Sequence, residues 1–214
     1  MIMWIKICGI SDVENALTCF AAGADAVGFV FAESKRQLAV QAAGRIVKAL
    51  PRGLEKVGVF VDACPREVAE IQNLLGLDLL QFHGRESPEY CSQFRARVIK
   101  AFKISTAEDF EAMSPYRSKI WACLLDTRYA GAAGGTGKAW DWNLVGNSQQ
   151  IDCTRLRIIA AGGLNAHNVG EALDVLKPDG VDTSSGVETS GRKNKGLIKQ
   201  FIDTVRRWER NDFA

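Results

Sequence analysis

The sequence contains only two histidines, no C-x-x-C pair and no apolar run near the length of a membrane span. A histidine- and cysteine-based metal site and a transmembrane helix are therefore not expected. The 27 basic and 25 acidic residues nearly cancel, and the basic ones are scattered, which disfavours nucleic-acid binding. Residues 1–5 are apolar, but Lys6 follows, so a signal-peptide core is missing. We expect a cytoplasmic chain with no nucleic-acid or membrane partner.

The six cysteines, at positions 8, 19, 64, 91, 123 and 153, do not have the spacing of a disulfide framework or a zinc site. A chain of 214 residues with 47% apolar content buries a substantial core without covalent staples. Most of these thiols are expected to be reduced, buried and inert. Cys8 is the candidate exception, because it ends the first apolar run. Lys6 can be merely a strand residue, or it can help to provide the positive charge that a reactive thiol needs.

Short apolar runs alternate with amphipathic segments along the whole chain. The eight predicted strands are 4–8, 26–31, 57–61, 79–83, 98–102, 120–126, 158–161 and 180–184. Predicted helices between them are 13–22, 39–50, 66–75, 88–95, 107–113 and 168–176. Continuous apolar strands joined by helices are typical of a parallel sheet covered on its outer face.

Eight such units predict an α/β fold, a single closed (βα)8 TIM barrel of parallel strands forming one catalytic domain over residues 1–214. A doubly wound open sheet is the alternative. That fold usually carries a glycine fingerprint after its first strand, whereas residues 7–10 here read Ile-Cys-Gly-Ile. The glycine-dense segment 131–137 is interpreted as a loop at the active face rather than a domain boundary.

Functional groups of a parallel barrel gather at the carboxyl ends of its strands. Small residues follow the last two predicted strands, at Gly162 and Gly163 and at Ser184, Ser185 and Gly186. Backbone N–H groups exposed by glycine, together with hydroxyls, can surround an anion. Two such loops in consecutive units predict a phosphate site, although each alone is also compatible with an ordinary turn.

The remaining candidates each have a structural alternative. Cys8 can be a buried small hydrophobe and Asp126 a turn cap, since a reactive thiol needs an electropositive setting that sequence does not reveal. His83 can be a hydrogen-bonded strand-end residue, and His167 is too distant in sequence to suggest a shared metal. Arg36 can be a solvated charge, but a guanidinium at the active face also suits an aromatic carboxylate.

Together these segments resemble those of the phosphoribosylanthranilate isomerase family, along nearly the whole chain. The matching segments are KICGI at 6–10, GFVF at 28–31 with SKR at 34–36, VGVFV at 57–61, QFHG at 81–84, LLD at 124–126, GGTGK at 134–138 with DW at 141–142, AGGLN at 161–165, and GVD at 180–182 with SSGVE at 184–188. Eight matches in the same order form a specific pattern.

The resemblance implies an Amadori rearrangement of a small phosphorylated substrate in tryptophan biosynthesis, without cofactor or metal. It implies that Cys8 and Asp126 are catalytic and that Arg36 binds the anthranilate carboxylate. His83 and Asp182 match active-face positions and are assigned to substrate binding. The two glycine and serine loops correspond to the family's phosphate loops, and segment 134–138 to its substrate-covering loop. Monomer and homodimer both stay open.

Two rivals differ in testable ways. The related Amadori isomerase of histidine biosynthesis would carry a carboxylate in place of Cys8. A barrel that only senses a phosphorylated metabolite would bind ligand without turnover, and the presence of both Cys8 and Asp126 argues against it.

Overall fold

The computed structural model describes residues 2–104, 107–126 and 156–212, and eight parallel strands close into a barrel. The strands are β1 (Trp4–Cys8), β2 (Ala26–Val30), β3 (Glu55–Phe60), β4 (Leu79–Phe82), β5 (Arg97–Lys103), β6 (Ala122–Asp126), β7 (Arg157–Ala161) and β8 (Gly180–Thr183). Each strand pairs with its sequence neighbour, and β1 pairs in parallel with β8. The predicted closed barrel is confirmed, and the open sheet is excluded.

Helices cover the outside of the barrel. They are α1 (Val13–Ala22), α2 (Val40–Ala49), α3 (Pro65–Leu75), α4 (Pro88–Cys91), α5 (Val169–Leu176) and α6 (Lys195–Asp212), with 3-10 helices at Ala107–Tyr116 and Ser185–Val187. The α4 prediction was too long. Segment 107–113 was predicted as an ordinary helix but belongs to a 3-10 helix, in a stretch where Pro115 lacks the backbone donor that an α-helix uses.

Two elements were missing from the sequence prediction. The first is α6, a strongly amphipathic helix of 18 residues that packs against α1 and α5. The second is a two-stranded hairpin, β9 (Glu188–Thr189) with β10 (Arg192–Lys193), which follows β8 on the active face. Strands of two residues are too short to show a hydrophobic period.

Strand residues alternate between the barrel interior and the layer beneath the helices, as the two-residue period of a strand requires. The inner set includes Ala26, Val57, Leu79, Ile99 and Leu124. The neighbouring positions join a larger core formed with the helices, whose members from the strands include Ile5, Ile7, Val27, Phe29, Leu80, Phe82, Val98, Leu125, Ile158 and Val181. This parity decides which side chains reach the barrel mouth.

Aromatic and charged side chains close the amino-terminal end of the barrel. The ring centroid of Trp121 lies 5.5 Å from that of Trp4, edge to face. The guanidinium carbons of Arg97 and Arg157 lie 5.2 and 4.8 Å from the Trp121 ring. Glu55 accepts hydrogen bonds from the Trp4 indole at 2.9 Å and from Arg97 at 2.7 Å. These contacts form a packed plug.

Within the three described ranges, no helix combines the length and the apolar character that crossing a membrane requires. Nor do these ranges contain a group of three or more histidine, cysteine or acidic side chains arranged to hold a metal ion.

Candidate active site

The carboxyl ends of the strands bring together ionisable side chains that are far apart in sequence. Cys8 ends β1, His83 follows β4, Asp126 ends β6 and Asp182 lies in β8. They share the parity of the inner core: Cys8 follows Trp4 by four residues, and Asp126 follows Leu124 by two. The barrel mouth therefore collects most of the residues that the sequence indicated.

On the β1 and β8 side, Cys8 lies beside a buried ion pair. The Lys6 Nζ lies 2.7 Å from Asp182 Oδ1, and the Lys6 side chain is fully buried. The two residues are register partners on adjacent strands, so their inward-facing side chains meet. Gly28 on β2 makes room for them, because an added Cβ there would lie 2.9 Å from Cys8 Sγ. Asp182 is thus bonded to Lys6, whereas the family resemblance implied a role in substrate binding.

The Cys8 thiol has two opposing electrostatic influences. Burial raises its pKa, the nearby Lys6 and Lys193 ammonium groups lower it, and the net pKa lies above the ordinary value. Burial lowers the pKa of Lys6, but Asp182 and Cys8 more than compensate and leave it raised. Lys6 therefore stays charged, and a thiolate formed at Cys8 would be a strong base next to a fixed cation.

On the opposite side, Asp126 belongs to a chain of hydrogen bonds. The His83 Nε2 lies 3.0 Å from Asp126 Oδ2, and its Nδ1 lies 3.1 Å from the Gln81 side-chain nitrogen. Gln81 is buried on β4, two residues before His83, so both face the barrel interior. His83 thus contacts the acid candidate directly, and its assignment to substrate binding gains no support from this contact.

Arg36 lies at the rim, where its planar guanidinium forms a two-pronged ion pair with Glu188. The Nε and Nη2 atoms each lie 2.7 Å from a Glu188 carboxylate oxygen. Lys193 Nζ lies 2.7 Å from the same carboxylate. Burial raises the pKa of Glu188, but the bonds from Arg36 and Lys193 prevail and lower it to about 2. Arg36, which the sequence predicts to bind a substrate carboxylate, therefore already binds the carboxylate of Glu188.

The two small-residue loops after β7 and β8 lie side by side. Gly162 and Gly163 adopt left-handed φ angles of 91° and 72°, which glycine tolerates without strain. A Cβ added to Gly186 would lie 1.8 Å from the Leu164 carbonyl oxygen, so the loops touch. The Ser184 hydroxyl donates to the Cys8 carbonyl at 3.1 Å, and Ser185 is exposed. The loops thus share one edge of the mouth with Cys8.

Sequence reasoning missed three members of this site or gave them no role. Lys6 was noted only as a possible helper of Cys8, and Glu188 and Lys193 were given no role. The ion pair between Arg36 and Glu188 joins residues 152 positions apart, which no local pattern reveals. The spacing of Glu188 within the SSGVE segment was the only available signal. Segment 134–138, the candidate covering loop, lies outside the described residues.

Fold and site together define a class: a (βα)8-barrel enzyme with an acid–base cluster and a small-residue double loop at the carboxyl ends of its strands. The family model for N-(5′-phosphoribosyl)anthranilate (PRA) isomerase matches residues 5–204. The chain belongs to this family.

Similar proteins agree with this membership. An N-(5′-phosphoribosyl)anthranilate isomerase of Desulforudis audaxviator is 46% identical over 94% of this chain and 97% of its own length. One of Pseudomonas aeruginosa is 43% identical over 97% of each chain. A crystal structure of phosphoribosyl anthranilate isomerase from Thermotoga maritima superposes with a TM-score of 0.88 at 39% identity, covering 96% of this chain and all of that one.

A further solved structure is a complex of phosphoribosyl anthranilate isomerase with reduced 1-(o-carboxyphenylamino)-1-deoxyribulose 5-phosphate. It has a TM-score of 0.85 and 37% identity, and the match covers 96% of this chain and all of that chain.

Proposed function

We propose that the protein converts N-(5′-phosphoribosyl)anthranilate into 1-(2-carboxyphenylamino)-1-deoxyribulose 5-phosphate, the Amadori step of tryptophan biosynthesis, with residues 1–214 acting as one catalytic domain. Family membership supports the choice of substrate. One observation carries the chemistry. A thiol beside a buried ammonium ends β1, and a carboxylate held by a histidine ends β6, across the same barrel mouth.

Asp126 is the general acid in this proposal. It gives a proton to the furanose ring oxygen while the bond from C1 to that oxygen breaks and the nitrogen lone pair forms a Schiff base. The ring opens without a change in total charge of the enzyme–substrate complex. Proton transfer by a positioned side chain contributes about 10²- to 10⁴-fold to a rate.

Cys8 is the general base. Its thiolate removes the proton from C2 of the open sugar, and the electrons of that C–H bond form the C1–C2 double bond of an enolamine as the iminium nitrogen recovers its lone pair. The enolamine becomes the ketone when its C2 hydroxyl loses a proton and C1 gains one. Lys6 stabilises the thiolate through its fixed positive charge. Because burial raises the pKa of the thiol, the thiolate is scarce at neutral pH but strongly basic once formed.

The two ends of the substrate are held apart from the reacting carbons. The backbone around Gly162, Gly163 and Ser184–Gly186 would bind the phosphate through N–H groups and hydroxyls. Arg36 would contact the anthranilate carboxylate with the guanidinium atoms that Glu188 leaves open. Fixing both ends restricts the sugar to orientations in which both catalytic groups reach it.

The deciding experiment mixes purified protein with freshly prepared phosphoribosylanthranilate and follows the change in anthranilate fluorescence, with product identified by mass. We expect catalytic turnover. The histidine-pathway Amadori substrate, supplied in parallel, tests the rival activity. Tight binding of phosphoribosylanthranilate without turnover would contradict the proposal and favour a sensor.

A further inference from the structure

The chain of contacts behind Asp126 contains one unsatisfied group. Gln81 is 1% exposed and presents its amide nitrogen to His83 Nδ1 at 3.1 Å. Its oxygen, Oε1, is buried without a hydrogen-bond partner among the described residues. A half-turn of the amide would bring Oε1 to the position that faces Nδ1 and move the nitrogen to the unpartnered position. Because a buried acceptor with no donor is costly, that turn is favourable only in a state of the site in which Nδ1 carries a hydrogen.

Proton counting identifies such a state. In the arrangement seen, the Gln81 nitrogen donates to Nδ1, so the neutral imidazole carries its proton on Nε2 and donates it to the Asp126 carboxylate. If the Asp126–His83 pair takes up one proton on Asp126 Oδ2 or on the imidazole, either Asp126 donates to Nε2 or His83 becomes an imidazolium. In both cases Nδ1 bears a hydrogen and needs an acceptor.

We propose that Gln81 is a positioning residue whose side-chain amide turns by half a rotation with the protonation of the Asp126–His83 pair. It presents nitrogen to the unprotonated pair and Oε1 to the protonated one. A glutamine amide is suited to this task because it offers a donor and an acceptor at nearly the same distance. The inference rests on the proposed function in taking Asp126 as the acid.

Four other charged side chains lie near His83. None of them is changed in the variants proposed below, so they cannot account for a difference between those variants. Asp62, Arg85, Lys100 and Lys103 line the same cleft. The Lys100 ammonium lies 3.2 Å from Glu86 and donates to the carbonyls of Gly84 and Ala101. Asp62 accepts from the Arg85 backbone at 2.6 Å. Lys103 is the register partner of Asp126.

Nitrogen NMR of histidine tests the proposal directly, because the chain has only two histidines and His167 is exposed. In the wild type, His83 Nδ1 should lose its proton as the pH rises through the titration of the pair. In Gln81→Glu it should keep that proton to a higher pH, because a carboxyl group is a stronger acid than an imidazolium and so leaves the proton on Nδ1. His167 should titrate identically in both and serves as the internal reference.

Kinetics supply the second readout. Gln81→Met keeps the side-chain length but removes both donor and acceptor, and kcat should fall about tenfold with KM within about twofold. In Gln81→Glu, the loss of activity at high pH should move to higher pH than in the wild type. Leu79→Met is the matched control, since Leu79 is buried on the same strand and faces the same interior. It should change neither readout.

Identical Nδ1 titration of His83 in the wild type and Gln81→Glu would overturn the inference, as would a Gln81→Met enzyme no slower than Leu79→Met. If Gln81→Met does not fold, the comparison with Gln81→Glu still decides. The NMR result does not depend on turnover. A wild type that shows the expected titration but no isomerase activity would therefore support the coupling while refuting the proposed function.

Discussion

The two ends of the barrel are built from the same strands but differ in chemistry. At the amino end, Trp4, Arg97 and Trp121 close the barrel through ring and guanidinium contacts. At the carboxyl end, the inward positions carry Cys8 and Asp126. Between the two ends lie two buried side chains, Lys6, which bonds its register partner Asp182, and Gln81, which bonds His83. The two ends thus differ in burial: the ion pair of the amino end is partly exposed, whereas the ionisable groups Lys6, Cys8 and Asp126 of the middle and the carboxyl end are buried.

This contrast separates what stabilises the barrel from what acts on a substrate. The amino-terminal plug has its charges on aromatic faces or paired with Glu55, where they need no other partner. The carboxyl end holds groups whose pKa values are displaced by burial and by neighbouring charges, the kind of group that clusters at functional sites. Substitutions at the two ends should therefore affect different measurements.

Replacing the catalytic candidates should give the larger response. Cys8→Ser and Asp126→Asn should each lower kcat/KM by about 10²- to 10⁴-fold, the usual contribution of one positioned proton-transfer group. The free energy of unfolding should change little for either. Steady-state kinetics combined with urea unfolding of each variant provides the check.

The pH profile separates the two roles. Because the pKa of Cys8 is raised, the rise in wild-type activity that comes from ionisation of Cys8 should lie at higher pH than the ionisation of an exposed thiol. This increase should be absent from Cys8→Ser and present in the residual activity of Asp126→Asn. A serine variant with wild-type rates across the pH range would refute the assignment of Cys8 as base.

Disrupting the plug should lower the free energy of unfolding and leave the activity nearly unchanged. Trp121→Ala removes a ring that contacts Trp4 and two guanidinium groups, and should lower the free energy of unfolding by about 2–3 kcal/mol. Its kcat should stay near that of the wild type at a temperature where both are folded. Trp121→Phe, which retains an aromatic face, is the matched control and should recover part of the loss. A large fall in kcat with unchanged stability would contradict the conclusion that the amino end serves stability rather than activity.

The barrel was predicted well because its strands and helices follow from local sequence patterns. Apolar runs with helical segments between them indicated all eight strands, and functional groups were expected at the carboxyl ends of those strands. Cys8, His83, Asp126 and Asp182 were singled out on that basis and do lie at the carboxyl face. Family resemblance, rather than periodicity, supplied their roles.

Which of these side chains bond to each other could not be predicted from local sequence patterns. Lys6 and Asp182 are 176 residues apart and meet only because the barrel closes between β1 and β8. The hairpin that carries Glu188 and Lys193 is too short to leave a pattern. Whether Asp182 bonds substrate or Lys6 depends on strand register, and register is a property of the closed barrel.

The cluster of Arg36, Glu188 and Lys193 yields the most modest expectation, a stability that depends on pH. The pKa of the Glu188 carboxyl is about 2 in the fold, against an ordinary value of 4.5. A depressed carboxyl pKa contributes stability that is complete above the ordinary pKa and is lost as the pH falls toward the folded value. The contribution should therefore decline between about pH 4.5 and about pH 2.

Glu188→Gln should be less stable than the wild type at pH 6 by about 1 kcal/mol, since solvent screens a pair whose arginine side chain is 30% exposed. Urea unfolding at a series of pH values should show this difference narrowing as the pH approaches the lower limit. A difference that stays constant from pH 6 to pH 3 would mean that the variant loses packing rather than charge pairing.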